Sequence, residues 1–116
     1  MLETTIRAEA KRKEILLMTH IVIGYPTLED SYRLVKTMVE AGVELMELQI
    51  PFSEPIADGP VILRANQDAL ATGITVEQCL DFAERVAREV DIPFLFMPYY
   101  NILFKYGVAK FAAEMA

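Results

Sequence analysis

The stretch MELQIPFSEPIADGP, Met46–Pro60, decides how the rest of this sequence is interpreted. It begins as a strand, breaks at Pro51 and continues as a loop rich in proline. The strand carries one carboxylate, Glu47, and the loop carries two more, Glu54 and Asp58, while the stretch holds no Lys, Arg or His. These acidic side chains therefore need a reason to be there other than neutralisation by a neighbour in sequence.

Length and composition indicate a globular protein, predicted to form a single domain over residues 1–116. The chain has 116 residues, of which 53% are hydrophobic and 24% charged, and such chains bury a core. The net charge of −6 excludes the basic surface that nucleic acid or an anionic membrane requires. No apolar run approaches the ~20 residues of a membrane span. The single Cys79 excludes an internal disulfide and agrees with a cytoplasmic protein.

Outward from this stretch, strand and helix patterns alternate along the chain. Apolar runs predict strands at 15–23, 43–50 and 92–98, and helical periodicity predicts helices at 2–14, 28–41, 61–73, 76–90 and 107–116. Parallel neighbours need a crossover, which a helix supplies, so the chain is predicted to be an α/β protein with a parallel sheet. No G-x-G-x-x-G or G-x-x-x-x-G-K-[ST] motif follows the first strand. Both an open doubly wound sheet and a (β/α) barrel remain possible, because the spacing alone does not separate them.

Period-two alternation makes Glu47 a candidate site residue. Leu45, Glu47 and Gln49 share one face of the predicted strand, which becomes polar toward its C-terminal end. In both parallel architectures ligands bind at that end, and burying a carboxylate without a partner is costly. The alternative is that Glu47 caps a backbone group or forms an ion pair. Glu44 and Glu54 are expected to be solvated.

Asp58 has two interpretations from its local sequence. It precedes Gly59 and Pro60, which is typical of a turn aspartate or of the N-cap of the following helix. It is equally placed to act in a site above the strand that carries Glu47. The residues alone leave both open.

ELQIPFSEPIADGPVI at 47–62 is similar to the signature E-L-G-[IV]-P-F-S-D-P-x-A-D-G-P-x-I of the tryptophan synthase alpha chain family. The chain resembles this family. Further similarities follow in the family's order, in IVIGYPTLEDS, MVEAGVELMEL, ANQDALATGIT and YYNILFKYG. The resemblance implies a TIM (β/α)8 barrel that cleaves indole-3-glycerol phosphate to indole and glyceraldehyde 3-phosphate.

The resemblance also implies roles for individual residues. Glu47 matches the family's catalytic glutamate, a general acid and base, and Asp58 matches its catalytic aspartate, which accepts a hydrogen bond from the indole N–H. The loop at 51–60 corresponds to a segment that faces the tryptophan synthase beta chain. Pyridoxal phosphate is expected only in that partner, and neither a cofactor nor a metal is expected in this chain.

Two further residues are substrate-binding candidates by the same resemblance. His20 lies where the family usually has an aromatic residue beside the substrate, and Tyr99 fits a wall of the substrate site. The alternatives are a hydrogen-bonded core histidine and a tyrosine that packs under the helices. The chain departs from the family pattern at five positions: His20, Gln49, Glu54, Leu63 and Ile102.

A complete barrel of this kind needs ~250 residues and eight strands, so three predicted strands suggest an N-terminal partial barrel of about three βα units. The family's phosphate-binding loops follow strands seven and eight, and the 116-residue chain is therefore expected to be inactive alone and to associate through its open sheet edges. Two alternatives remain. One is another barrel enzyme, such as a glycoside hydrolase, that uses Glu47 and Asp58 as its acid–base pair. The other is a non-catalytic association module.

Overall fold

The computed structural model describes residues 2–115, which form a parallel sheet and its flanking helices. The strands within this range are β1 Met18–Val22, β2 Leu45–Gln49 and β3 Phe94–Phe96. The helices are α1 Leu2–Glu9, α2 Leu28–Glu40, α3 Pro60–Ala71, α4 Val76–Glu89, α5 Tyr100–Tyr106 and α6 Val108–Glu114.

The sheet has the order β1-β2-β3, and both strand pairs are parallel. The helix α2 connects the first pair, and α3 and α4 connect the second. Each new strand is therefore added on the same side, as a barrel requires and as the family resemblance implies. In the register, His20 of β1 is the partner of Glu47, which is the partner of Leu95 in β3.

The strands are shorter than the apolar runs that predict them, and one prediction about β1 is wrong. The continuous apolar run predicts burial on both faces, yet Met18 is 51% exposed and full burial begins only at Ile21. Within residues 2–115, β1 has β2 as its single neighbour. The buried part of β1 is therefore its C-terminal half, at Ile21 and Val22.

The predicted helix starts are confirmed by their caps. The Thr27 side chain accepts from the N–H of Asp30 at 3.0 Å at the start of α2. The start of α4 has a capping box, in which two residues cap each other. The Thr75 side chain accepts from the Gln78 N–H at 3.2 Å, and the Gln78 side chain accepts from the Thr75 N–H at 2.9 Å. Each such cap satisfies donors that the first helical turn leaves without partners.

Side chains of α2, α4, α5 and α6 pack on one face of the sheet and make the main core there, whereas Ala65 and Ala69 of α3 pack on Val22 in a separate cluster. Met46, Leu48 and Ile50 point to that side and are at most 1% exposed, and they belong to one apolar cluster with Val35 of α2 and Val86 of α4. Burying one such side chain contributes roughly 2 kcal/mol. Because side chains alternate along a strand, the other face of β2 carries the residues of opposite parity, including Glu47.

Glu44 lies at the N-terminal end of the sheet, and the expectation that it is solvated is wrong. It is 8% exposed. Lys13 forms an ion pair with Oε1, and the Leu17 N–H donates to Oε2 at 2.8 Å. The hydrogen bond from Lys13, followed by that from Leu17, lowers the pKa of Glu44. By contrast, Glu54 is exposed as expected.

No helix within residues 2–115 is both long enough and apolar enough to cross a membrane.

Candidate active site

The predicted site residues lie on one face of the sheet, from the middle of β1 and β2 to the loops beyond the C-terminal ends of the strands. Glu47 on β2 stands beside His20 on β1. Asp58 lies in the loop that leads into α3, and Tyr99 lies immediately before α5. Four side chains from four separate segments of the sequence are thus brought to one place.

A continuous chain of hydrogen bonds connects these side chains. Nδ1 of His20 lies 3.3 Å from Oε2 of Glu47, and its Nε2 lies 2.8 Å from Oε1 of Gln49. Nε2 of Gln49 donates to Oδ2 of Asp58 at 3.1 Å. The Tyr99 hydroxyl donates to the same oxygen at 3.1 Å. The two candidate catalytic carboxylates are therefore connected through His20 and Gln49.

Asp58 does not cap the following helix. The N-cap of α3 is Gly59, which makes no side-chain cap hydrogen bond. The side-chain bonds of Asp58 come instead from Gln49 and Tyr99. The prediction that Asp58 is the N-cap is therefore wrong. Its place in a turn stands, because the Asp58 N–H donates to the Pro55 carbonyl at 3.1 Å, while its carboxylate bonds to Gln49 of β2.

Tyr99 is held in place from several sides. Its hydroxyl accepts from the Ala57 N–H at 3.1 Å while it donates to Asp58. Its ring stacks on Phe52, with centroids 4.9 Å apart and planes inclined by 22°. Burial raises the pKa of Tyr99, and the hydrogen bond to Asp58 raises it further. The phenol therefore stays protonated at neutral pH and remains a donor to Asp58.

The loop between β2 and α3 is fixed from the helix side. The Phe52 N–H donates to Oδ1 of Asn66 at 2.8 Å, and Nδ2 of Asn66 donates to the Ile62 carbonyl at 2.8 Å. Asn66 is fully buried. A buried amide with both ends bonded sets the path of the loop and hence the position of Asp58.

Glu47 is partly open to the face where a ligand would lie, since its side chain is 29% exposed and that of His20 is 24% exposed. Among residues 2–115, the ion pairs of Lys and Arg reach neither Glu47 nor Asp58. His20, which comes from the neighbouring strand, lies within hydrogen-bonding distance of Glu47. Both carboxylates are thus available for chemistry with a bound molecule.

Sequence reasoning did not assign a site role to Gln49. Its side chain is 1% exposed and connects His20 to Asp58. The signal was present, because the alternation that places Glu47 on the inner face places Gln49 there too. Within the described part of the chain, no group of three or more His, Cys, Asp or Glu side chains is arranged to hold a metal ion.

The sequence pattern described as "Tryptophan synthase alpha chain" matches residues 6–116. The chain belongs to this family. The alpha chain of Syntrophotalea carbinolica is 76% identical over 116 residues, which is all of this chain and 46% of the relative. That of Desulforapulum autotrophicum is 66% identical with the same coverage of both chains. The chain thus spans about half the length of the curated relatives it matches.

Solved structures of the family agree with the fold. A crystal structure of tryptophan synthase from M. tuberculosis, in an aminoacrylate-bound form, matches with a TM-score of 0.89 and 30% identity, covering 98% of this chain and 46% of that one. Tryptophan synthase subunit alpha from Legionella pneumophila matches with a TM-score of 0.88 and 34% identity, covering 97% and 43%. The predicted partial TIM barrel is confirmed, and the open doubly wound sheet is excluded.

Proposed function

We propose that the whole protein carrying this chain is a lyase that cleaves indole-3-glycerol phosphate to indole and glyceraldehyde 3-phosphate. The observation that carries the proposal is the hydrogen-bonded arrangement of Glu47 and Asp58 at the C-terminal end of the sheet, away from Lys and Arg. Membership of the tryptophan synthase alpha chain family supports it. No cofactor is needed in this chain, since the bond can be broken by proton transfers alone.

Glu47 is assigned the proton transfers. As the acid it gives its proton to the ring carbon that bears the glycerol chain, which makes the ring an electron acceptor. The carbon–carbon bond then breaks, its electron pair returns to the ring, and the neighbouring glycerol hydroxyl becomes the aldehyde carbonyl. The proton lost from that hydroxyl returns to Glu47, so the residue ends the cycle as it began.

Asp58 is assigned the role of stabilising the positive charge that develops on the ring. Protonation at the ring carbon places positive charge on the ring nitrogen, and a carboxylate that accepts the ring N–H stabilises it. Within residues 2–115, both side-chain bonds to Asp58 end on Oδ2. The other oxygen, Oδ1, is left for the ring N–H. Together with Asp58, His20 and Tyr99 are assigned to the wall of the substrate site.

The proposed partner is a tryptophan synthase beta chain, bound through the loop at 51–60 and carrying the pyridoxal phosphate. Support comes from the side chain of Ile56, which is 90% exposed at the tip of that loop, where contact with a partner would bury it. The solved relative described as aminoacrylate-bound tryptophan synthase also supports it. A cytoplasmic location belongs to the same proposal and is supported by the free, buried Cys79.

An assay on a chain of the relatives' full length tests the proposal. Residues 1–116 are joined to the remaining portion of the S. carbinolica relative, and the relative itself is the positive control. We expect release of indole and of glyceraldehyde 3-phosphate in equal amounts, and no turnover of aryl glycosides. If glycosides are hydrolysed and indole-3-glycerol phosphate is untouched, the lyase proposal fails in favour of the hydrolase alternative.

A further inference from the structure

The Gln49 carboxamide is buried between two groups that fix its orientation. One end lies 3.1 Å from Oδ2 of Asp58 and the other lies 2.8 Å from Nε2 of His20. An ionised carboxylate can only accept hydrogen bonds, so the amide NH₂ must face Asp58. The amide carbonyl, which can only accept, must then face His20.

This orientation determines where the protons of His20 lie. Because Oε1 of Gln49 only accepts, Nε2 of His20 must carry a hydrogen. The other ring nitrogen, Nδ1, lies 3.3 Å from Oε2 of Glu47. In the neutral ring with Nε2–H, this nitrogen is an acceptor.

The contact between His20 and Glu47 is therefore most favourable when one proton lies between them. Either the carboxylic acid of Glu47 donates to Nδ1, or a protonated Nδ1 donates to the carboxylate. With no proton, two acceptors face each other at 3.3 Å, and with a proton on each group, the charged ring donates to a neutral carboxyl oxygen, which is a weaker acceptor than a carboxylate. The geometry thus favours one proton for the pair.

We propose that Gln49 and His20 are positioning residues that make His20 and Glu47 share a single proton. The catalytic consequence rests on the proposed lyase function. When Glu47 has delivered its proton to the ring carbon, its carboxylate faces an unprotonated Nδ1. That arrangement favours taking a proton back from the glycerol hydroxyl, which completes the retro-aldol step without any other proton source.

The side chains of Gln49 and His20 form a matched pair. They are hydrogen-bonded to each other at 2.8 Å. Gln49 is 1% exposed, and its other end donates to Asp58 at 3.1 Å. A buried carboxamide bonded at both ends indicates a built network.

Nitrogen-15 NMR of the histidine ring tests the proposal without an activity measurement. The sample is the full-length protein, in which residues 1–116 are joined to the remaining portion of the S. carbinolica relative, labelled with nitrogen-15 at histidine. The signals of His20 are identified by their loss in His20→Phe. We expect Nε2 of His20 to carry a hydrogen in the wild type. In Gln49→Leu, which has a similar volume but no amide, we expect both neutral tautomers to be populated. Gln67→Leu, at an exposed glutamine on α3, is the matched control and should leave the spectrum unchanged.

Kinetics on the same variants give the second readout. Gln49→Leu should lower kcat roughly threefold to tenfold, as expected for a lost hydrogen bond, and should leave KM within about twofold. A wild-type His20 with Nδ1 protonated and Nε2 bare would overturn the proposal, and so would a Gln49→Leu spectrum identical to the wild type. The wild-type spectrum decides the tautomer even if the variant does not fold.

The two measurements separate the two proposals. If Nε2 carries the hydrogen but no indole is released, the network stands and the lyase function fails. If indole is released but the tautomer is the other one, the lyase function stands and the shared proton is wrong.

Discussion

Glu44, immediately before β2, and Glu47, within β2, are three residues apart, yet they lie in different environments. Glu44, at the N-terminal end of the sheet, is 8% exposed, and its two oxygens are bonded to Lys13 and to the Leu17 N–H. Glu47, toward the C-terminal end, has a 29% exposed side chain and contacts the imidazole of His20. The first carboxylate has a fixed cationic partner, whereas the second faces a group that can exchange a proton with it.

This difference shows that two carboxylates close together in sequence have different uses, one in stabilising the fold and the other in the proposed proton transfers. A carboxylate held by Lys and a backbone N–H stays ionised and fastens the chain segments together. A carboxylate beside an imidazole can hold or release a proton, as an acid–base group must. In a parallel sheet, the second kind belongs at the C-terminal end, where ligands bind.

Asp58→Asn should lower turnover strongly and leave the contacts at the N-terminal end of the sheet unchanged. The change keeps the shape but removes the negative charge that would stabilise the protonated ring, so kcat should fall by ~10²-fold or more. Steady-state indole release by the full-length protein measures it. The same substitution at Asp68, which pairs with Arg64 on the surface of α3, is the control and should not change turnover. A loss below about tenfold would assign Asp58 to the loop structure instead.

Tyr99→Phe should lower turnover less than Asp58→Asn does. The ring can still stack on Phe52, but the hydroxyl that donates to Asp58 and accepts from the Ala57 N–H is lost. We expect kcat to fall roughly threefold to tenfold, the range for one lost hydrogen bond. Tyr100→Phe, at a tyrosine that is 67% exposed, is the matched control. Full activity in Tyr99→Phe would show that the hydroxyl does not support Asp58.

Lys13→Met should lower the stability of the protein by removing the ion pair at the N-terminal end of the sheet, and it should not change kcat. Since folding lowers the pKa of Glu44, the stability from this pair is fully present above the unfolded-state pKa. It is lost as the pH falls through the lower folded-state pKa. The variant should therefore be less stable than the wild type at neutral pH, with a gap that narrows in acid.

Urea unfolding of the full-length protein across this pH range measures the stability gap. Lys11→Met, at an exposed lysine two residues away, makes the same chemical change and should behave as the wild type. A gap that is constant from neutral to acidic pH would contradict the role of the pair.

The three strands and the inner face of β2 were predictable from the sequence, because hydrophobic periodicity is a local property. The strand order followed from the family resemblance, since the spacing alone left two architectures open. The contacts that complete each end of the sheet were not. Lys13 reaches Glu44 across 31 positions, and Tyr99 reaches Asp58 across 41. No local pattern records such pairings, which depend on how loops return to the sheet.

Two helical segments also differ from the predictions. The predicted helix at 2–14 ends at Glu9, which leaves Lys13 in the connection to β1, where it meets Glu44. The helix α5, Tyr100–Tyr106, was not predicted, because its N-cap residue Tyr99 makes no side-chain cap hydrogen bond and the helix has only 7 residues. Short helices without a cap give little signal in sequence.

A paired comparison of Glu47→Gln and Glu44→Gln in the full-length protein tests the central claim most directly, with kcat for indole release and the urea midpoint measured on each variant. Glu47→Gln should lower kcat by at least ~10²-fold, the loss of an acid–base group, and leave KM and the midpoint nearly unchanged. Glu44→Gln should lower the midpoint and leave kcat unchanged. Near-wild-type turnover in Glu47→Gln would contradict the account and make Glu47 a structural residue like Glu44.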